Sequence, residues 1–341
     1  MLLVSQLIQD PPKLPRRKGA MPRFDYVGFG LLAVGVGALQ VALDKGQEND
    51  WFGSHFITTL IVMATVGLIS LVIWEWRHKD PIVDVRLFRM FNFASCNVMM
   101  FVLGVVLFSS TVLLPQFLQT LMGYTAEAAG LVLSAAAVLL LCVMPLIGRL
   151  LTRYQARYVL AFGWITLAFG MYFSFKHLDL LISFRAATWI RILQYVPFGF
   201  LFVPLTAAGY VGLPKEKSNA AAGLMNFMRN IGQSVGTSAV TTLIARRTQY
   251  HQSVLAEYTR SPHFNVAVAT ITTRLTRVGL SVHSAHEQAL ARMCALVMAQ
   301  AQALSYVEVY WLLAVVSAVM FFLSFLLAKN EPGTGGDVPM H

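Results

Sequence analysis

The sequence predicts an all-helical integral membrane protein with eight membrane-spanning helices. Of its 341 residues, 57% are apolar and only 12% are charged, whereas about 25% are charged in an average soluble domain. Eight apolar runs are long enough to cross a bilayer core of about 30 Å, which takes about 20 helical residues. The runs are apolar throughout, and this excludes the alternating strands of a membrane barrel.

The eight predicted spans are separated by charged segments or by glycine and proline. They cover residues 26–43, 56–76, 95–118, 128–148, 158–175, 187–212, 220–244 and 306–328. We expect a basic linker at 1–25, a loop at 77–94 and a tail at 329–341, all on the same side of the membrane.

The chain carries a surplus of positive charge, with 26 Lys and Arg against 16 Asp and Glu. Such a surplus is typical of nucleic-acid binding or of basic cytoplasmic loops in a membrane protein. Fifteen basic residues fall in one set of alternate short segments, and only Lys45, Lys176 and Arg185 fall in the other. Because Lys and Arg accumulate in short cytoplasmic loops, we expect both termini on the cytoplasmic side of the inner (plasma) membrane and no nucleic-acid partner.

The sequence carries no signature of catalysis or metal binding. Cys96, Cys142 and Cys294 are far apart and form neither a CxxC pair nor a Cys/His zinc spacing. No nucleophile–base pair, phosphate-binding glycine loop or metal cluster stands at a plausible position. We therefore predict no enzyme, no catalytic residue, no metal and no cofactor.

One long connection, residues 245–305, lies between the last two predicted spans. Ser284 and Glu287 have the spacing of a capping box at a helix N-terminus. Apolar residues follow at steps of three and four, from Leu290 to Leu304, as on one face of a helix. We expect an amphipathic helix on the outer membrane surface or against the bundle, and a ligand lid is the alternative.

The seventh predicted span contains a stripe of polar side chains. Arg229 lies nine residues past its start, about 14 Å into the bilayer, where an ionisable group normally faces a cavity or a partner. The same helical face carries further polar residues, namely Asn226, Asn230, Gln233, Thr237 and Thr241. This pattern favours a water-filled substrate cavity, and hydrogen bonding between packed helices is the alternative. Gly232 and Gly236 form a GxxxG pair that permits close helix packing.

The sixth predicted span carries Arg191, Gln194 and Phe198 at helical spacing, which predicts another part of the substrate-cavity wall. Arg191 lies near the outer end, where a long side chain can reach the interface, so structural anchoring is an equal alternative for it. Pro197 and Pro204 interrupt the span. Such breaks are tolerated where a cavity or a neighbouring helix satisfies the freed carbonyl groups.

No acidic residue lies near the middle of a predicted span. Glu75 falls at an inner end, whereas Asp44, Glu127 and Glu308 fall at outer ends. Proton relays through membranes normally use an Asp, Glu or His inside a span. If the complete protein couples to protons, we expect its main carboxylate outside this chain.

Several short motifs resemble those of one transporter family. The matching stretches are LPQFLQ at 114–119, GYT at 123–125, FVPLT at 202–206 and NFMR at 226–229, with FDYVG at 24–28 and DWF at 50–52. Their order and spacing are similar to those of the fourteen-span drug:proton antiporters of the major facilitator superfamily, the EmrB/QacA type.

The resemblance implies a helical bundle that exports amphipathic compounds by alternating access against an inward proton flow. It implies that residues 26–76 form the two extra central helices of that family and that residues 95–328 form the C-terminal six-helix half-bundle. Six N-terminal helices, with the carboxylates that the family uses for proton coupling, would be absent, and we expect a fragment rather than a natural short protein. The implied partners are the lipid bilayer, amphipathic small molecules, protons and either an N-terminal half or a periplasmic adaptor.

The loop after the fourth predicted span is similar to the gating loop of the superfamily at Gly148, Arg153 and Arg157. Thr152 stands where the family has an acidic residue. A charge-relay role for this copy of the loop is therefore doubtful.

Two other classes of function compete with transport. A non-transporting membrane interaction protein would pair its inner face with another half-transporter or with a second copy of itself. A membrane-embedded transferase would need a His/Asp or Cys pair at bilayer depth, which this sequence lacks.

Overall fold

The structure, a computed structural model, describes residues 25–78, 83–214, 217–259 and 261–328. In these ranges the regular secondary structure is entirely helical. The helices are α1 (Tyr26–Lys45), α2 (His55–Arg77), α3 (Phe91–Thr120), α4 (Ala126–Arg153), α5 (Ala156–His177), α6 (Phe184–Tyr195), α7 (Pro197–Gly209), α8 (Ser218–Tyr258), α9 (Pro262–Arg277) and α10 (Val282–Leu323). Single turns of 3-10 helix lie at Trp51–Gly53, Val85–Arg89 and Ser324–Leu326. The predicted basic linker before Asp25 and the predicted tail from residue 329 lie outside the described residues.

Seven segments of the described chain are long and apolar enough to cross a membrane. Each of α1 to α5 supplies one, α6 and α7 together supply Phe184–Gly209, and α10 with the turn after it supplies Val282–Leu326. The predicted class of all-helical multi-pass membrane protein is therefore confirmed. The run predicted at 220–244 lies in α8, which is helical but is not one of the seven, because its polar stripe lowers its hydropathy.

The sixth predicted span consists of two helices rather than one. α6 ends at Tyr195 and α7 begins at Pro197. Proline has no backbone N–H, so it cannot donate to the carbonyl oxygen of Leu193 one turn earlier. Pro204, in contrast, is accommodated inside α7.

The connection predicted at 245–305 is helical over nearly its whole length. α8 continues to Tyr258, and α10 runs without interruption from Val282 past residue 305 into the last span. The expected helix start at Ser284 is corrected to Ser281, whose hydroxyl accepts the Ser284 backbone N–H at 3.2 Å. With 41 and 42 residues, α8 and α10 are each about 60 Å long, about twice the thickness of a bilayer core.

The buried core lies among α3, α5, α6, α7, α8 and α10. In their most apolar stretches α3 and α5 bury 50% and 56% of the residues, whereas α4 buries only 17% and α1 and α2 only 22% each. α3 and α5 are therefore central helices, and most of the apolar surface of α1, α2 and α4 faces outward. Such surface is compatible with lipid contact, because lipid tails are as apolar as these side chains.

α1 and α2 form a hairpin, and Asp25 joins the two helices at the end opposite the connecting loop. A Cβ atom added to Gly67 would lie 2.9 Å from the Gly35 Cα atom, so the two helices touch backbone to backbone there. The Asp25 carboxylate accepts the Gly28 backbone N–H at 2.9 Å and the Trp74 indole N–H at 2.9 Å. Burial raises the pKa of Asp25, but these two hydrogen bonds and the nearby His78 outweigh burial and lower the pKa below its ordinary value.

A set of polar contacts joins the hairpin to the bundle on the same side of the molecule. Arg86 donates to the carbonyl oxygens of Trp76 and His78, at 2.6 and 3.0 Å. The Lys217 ammonium lies 2.7 Å from the buried Asp84 carboxylate, linking the start of α8 to the turn before α3. These contacts fix the connection between α2 and α3 against both helical groups.

Candidate functional site

The polar stripe of α8 lies on a face of the bundle that is only partly covered. The side chains of Asn226 and Asn230 are exposed, and those of Gln233 and Arg229 are half-buried. The Arg229 guanidinium lies 5.1 Å from the centre of the Phe202 ring of α7, a cation–π distance. The stripe therefore offers amide groups, one cation and one aromatic ring along the same surface.

A neighbouring side of α8 packs directly on α3. A Cβ atom added to Gly232 would overlap the Phe101 carbonyl oxygen, and one added to Gly236 would lie 2.6 Å from the Val105 Cα atom. On the facing helix, a Cβ atom at Gly104 would overlap the Arg229 carbonyl oxygen. Glycine at these three positions allows the two backbones to touch, as in other small-residue helix contacts.

One edge of the stripe contacts the α1–α2 hairpin. The Ser234 hydroxyl donates to the Gln40 side-chain oxygen of α1. Ser234 is buried, whereas Asn230, one turn earlier on α8, remains exposed. α1 thus covers one end of the stripe and leaves the other uncovered.

The predicted wall residues of the sixth span lie inside the bundle, away from this open surface. Arg191 and Gln194, both on α6, are 1% and 0% exposed, and Phe198 of α7 is 4% exposed. Arg191 donates to the Thr111 hydroxyl of α3 at 2.9 Å, and Gln194 donates to the Ser174 hydroxyl of α5 at 2.8 Å. The predicted cavity residues therefore divide into an open group on α8 and a closed group around α6.

The residues of the predicted gating loop lie at the end of α4 and the start of α5. Gly148 and Arg153 are exposed. Arg157 donates to the Tyr158 hydroxyl at 2.7 Å and lies over the same ring. Thr152, in the position of the acidic residue of the family, donates to the Arg149 carbonyl oxygen.

A charged cluster between α8 and α10 was not predicted from the sequence. The Glu308 carboxylate lies 2.9 Å from Arg247 Nε and 3.0 Å from His251 Nε2. It borders a cavity of about 380 Å³ with apolar walls from Phe175, Leu243, Trp311 and Leu312. The four-residue spacing of Arg247 and His251 is a detectable signal, but the contact with Glu308, 57 residues after His251, is not.

The described residues include no group of three or more His, Cys, Asp or Glu side chains that could hold a metal ion. Cys96, Cys142 and Cys294 are free thiols.

Seven apolar segments in the described part of the chain are long enough to cross a membrane, which defines a multi-pass membrane protein. Residues 25–237 match the sequence pattern of the Major Facilitator Superfamily. The chain belongs to this superfamily, and the family inferred from its motifs is confirmed. Members of this family are transporters, which agrees with the expectation that the chain is not an enzyme.

Similar proteins include several export and resistance proteins. The chain is 33% identical over 314 residues to the multidrug export protein EmrB of Escherichia coli K12. The aligned region covers 92% of this chain and 60% of that protein. It is 37% identical over 233 residues to the probable multidrug resistance protein EmrY of Escherichia coli K12, covering 68% of this chain and 46% of that one. It is also 37% identical over 236 residues to the fatty acid resistance protein FarB of Neisseria gonorrhoeae, covering 69% and 46%.

The chain spans about 60% of the length of the EmrB relatives that it matches. Among solved structures, it is similar to a bacterial homolog of the human lysosomal transporter Spinster in an inward-facing and occupied conformation. That similarity has a TM-score of 0.46 at 13% identity and covers 90% of this chain and 68% of the other.

Proposed function

We propose that the chain acts as the C-terminal half of a proton-driven multidrug efflux pump that works by alternating access. The observation that carries the proposal is the exposed stripe of α8, where Asn226 and Asn230 are open and Arg229 lies against Phe202. A transporter binds substrate near the membrane midplane between two halves. Amides, a cation and an aromatic ring on one uncovered face suit an amphipathic substrate.

In this proposal α8 is the eighth membrane crossing, although its hydropathy does not single it out. α8 packs backbone to backbone with α3, a helix that is itself apolar enough to span the membrane. A polar helix is tolerated in a bilayer when its polar face lines a cavity. Both termini would then lie in the cytoplasm, residues 26–76 would be the two extra central helices, and residues 95–328 would be the half-bundle.

In this proposal the six N-terminal helices and the proton-coupling carboxylate lie outside the present chain. The relatives named export and resistance proteins are longer than this chain, which covers 60% of EmrB. Arg191, Gln194 and Phe198 would then support the cavity wall from behind instead of lining it. Gly148, Arg153 and Arg157 would mark the cytoplasmic gate.

Reconstitution tests this assignment. In liposomes with an imposed proton gradient, the chain alone is expected to give no drug-dependent proton flux, because half of the binding cavity is absent. Co-reconstitution with the six N-terminal helices of a relative is expected to restore flux, and Asn230→Ala should weaken it. Robust flux from the chain alone would refute the division into halves.

A non-transporting interaction protein is the second candidate, and the same exposed stripe supports it, because amide groups also suit a contact with a partner helix. In that case the chain would form a stable pair with another half-transporter or with itself. Cross-linking in detergent separates the candidates: a single monomeric species would count against the interaction protein.

A further inference from the structure

Arg191 is a fully buried cation without a carboxylate partner in the described part of the protein. It is 1% exposed, and Arg stays protonated in proteins. An unpaired ion in a low-dielectric interior is strongly unfavourable. The interior around Arg191 is therefore incomplete in electrostatic terms.

The neighbours of Arg191 satisfy only part of its hydrogen-bonding capacity. Nη2 donates to the Thr111 hydroxyl, and the guanidinium lies 4.6 Å from the centre of the Tyr195 ring. Nε and Nη1 have no acceptor among the described residues. Three N–H bonds thus point into the bundle without a partner.

Among the described residues, the titratable groups that interact with Arg191 are two tyrosines, Tyr195 on its own helix and Tyr310 on α10. Tyr310 is fully buried, and it interacts with both Gln194 and Arg191. Gln194, one turn along α6, holds its amide group on Ser174. This arrangement presents an excess of donors and positive charge at one point of the core.

We propose that Arg191 binds a small monovalent anion, either a halide or a carboxylate, inside the half-bundle between α3, α6 and α10. The anion accepts the free Nε and Nη1 hydrogens and neutralises the guanidinium. A small ion suits the site because Arg191 and Gln194 are almost completely enclosed.

A halide titration of the purified full chain tests the proposal. The protein is kept in detergent at constant ionic strength, with gluconate replaced stepwise by chloride or by acetate, so that screening does not change. A ligand that binds only the folded state raises the melting temperature, so we expect a saturable rise of a few degrees. Chloride and acetate arms distinguish a halide from a carboxylate, and radiolabelled chloride should bind at about one ion per chain if the halide is the ligand.

Two variants separate this site from general effects of salt. Arg191→Met removes the charge and keeps an apolar side chain of similar length, so the rise should disappear. Arg247→Met is the matched control, because Arg247 already has the Glu308 carboxylate at 2.9 Å, and its response to anions should equal that of the parent protein.

Three results would overturn the proposal. The first is a melting temperature of the parent protein that neither chloride nor acetate changes, which needs no variant to be folded. The second is an Arg191→Met protein that keeps the full response. The third is an equal loss of response in Arg247→Met, which would indicate a surface effect.

Discussion

Arg229 and Arg191 sit in two regions of the same bundle that the sequence does not distinguish. Both are arginines inside predicted spans, and both are followed by amide residues at helical spacing. The structure leaves Arg229 half-buried beside exposed Asn230, and it encloses Arg191 almost completely. The difference shows that an arginine in a predicted span can lie either on a partly open face or in a closed interior, and that its long-range neighbours decide which.

Arg247 adds a third environment to this comparison. It is half-exposed, and it pairs with Glu308, which also contacts His251. The arginine with access to solvent thus has a carboxylate, and the arginine without access has none among the described residues. Buried charges are normally the ones that are paired, so the missing partner of buried Arg191 is the reason to look for a bound anion there.

The largest expected loss of stability comes from separating α8 from α3. α3 contacts α8 at Gly232 and also holds Thr111, the hydrogen-bond acceptor of Arg191. Gly232→Val would place a side chain against the Phe101 carbonyl oxygen, and overpacking of this kind costs about 3 kcal/mol. We expect a sharp drop in the melting temperature measured in detergent. Gly223→Val on the same helix, where no atom lies within 4 Å of an added Cβ, is the control, and equal damage by both would contradict the close contact.

A smaller loss is expected in the closed region when the hydrogen bond from Arg191 to Thr111 is removed. Thr111→Val leaves Arg191 Nη2 without its 2.9 Å acceptor, and an orphaned charged donor typically costs about 1–3 kcal/mol. Thermal unfolding of this variant should be compared with that of Thr65→Val, because the Thr65 hydroxyl is exposed and bonds the Ile61 carbonyl oxygen of its own helix. Similar melting temperatures for the two variants would mean that Thr111 does not support Arg191.

The half-exposed cluster of Arg247, His251 and Glu308 should contribute less to stability than the buried contact between Arg191 and Thr111. Glu308→Gln removes the carboxylate between Arg247 and His251, and exposed ion pairs contribute about 0.2–1 kcal/mol. The loss should shrink as salt is added, because salt screens surface pairs more than buried ones. A loss that equals that of Thr111→Val, and that does not respond to salt, would remove the contrast between the regions.

Asp25 is a buried anion that has what Arg191 lacks, since N–H donors from Gly28 and Trp74 hold its carboxylate. Because folding lowers the pKa of Asp25 from its ordinary value of 3.8, the ionised carboxylate stabilises the hairpin at pH values above 3.8. This contribution is lost as the pH falls below 3.8 and passes through the lower pKa of the folded state. Trp74 fluorescence followed during acid titration should report the change, the smallest of these effects. Asp25→Asn should remove this component; an unchanged titration would contradict the account.

Much of the fold follows from local sequence. Apolar runs predict the seven crossing segments because helix and bilayer dimensions fix the length required. The same reasoning also predicted a span at 220–244, but α8 is not among the seven segments because one of its faces is polar. This polar face is also what makes α8 a candidate site. The start of α10 at Ser281 instead of Ser284 shows that two nearby serines can compete for the same capping role.

The candidate site was less accessible to sequence reasoning than the fold. Spacing places Arg191 and Gln194 on one face of a helix, but only contacts to Thr111 and Ser174, 80 and 20 residues away, show that this face points inward. The Glu308 cluster likewise depends on α8 and α10 lying side by side. Such long-range contacts are not encoded in the periodicity of either segment.

Water access to the two regions tests the central claim that α8 is a substrate-facing wall and α6 is not. Single cysteines at Asn230 and Gln194, in a background with Cys96, Cys142 and Cys294 changed to serine, can be labelled with a membrane-impermeant maleimide in the complete pump. The account predicts fast labelling at position 230 that an exported drug slows, and almost none at position 194. Fast, drug-sensitive labelling at 194 with none at 230 would contradict it.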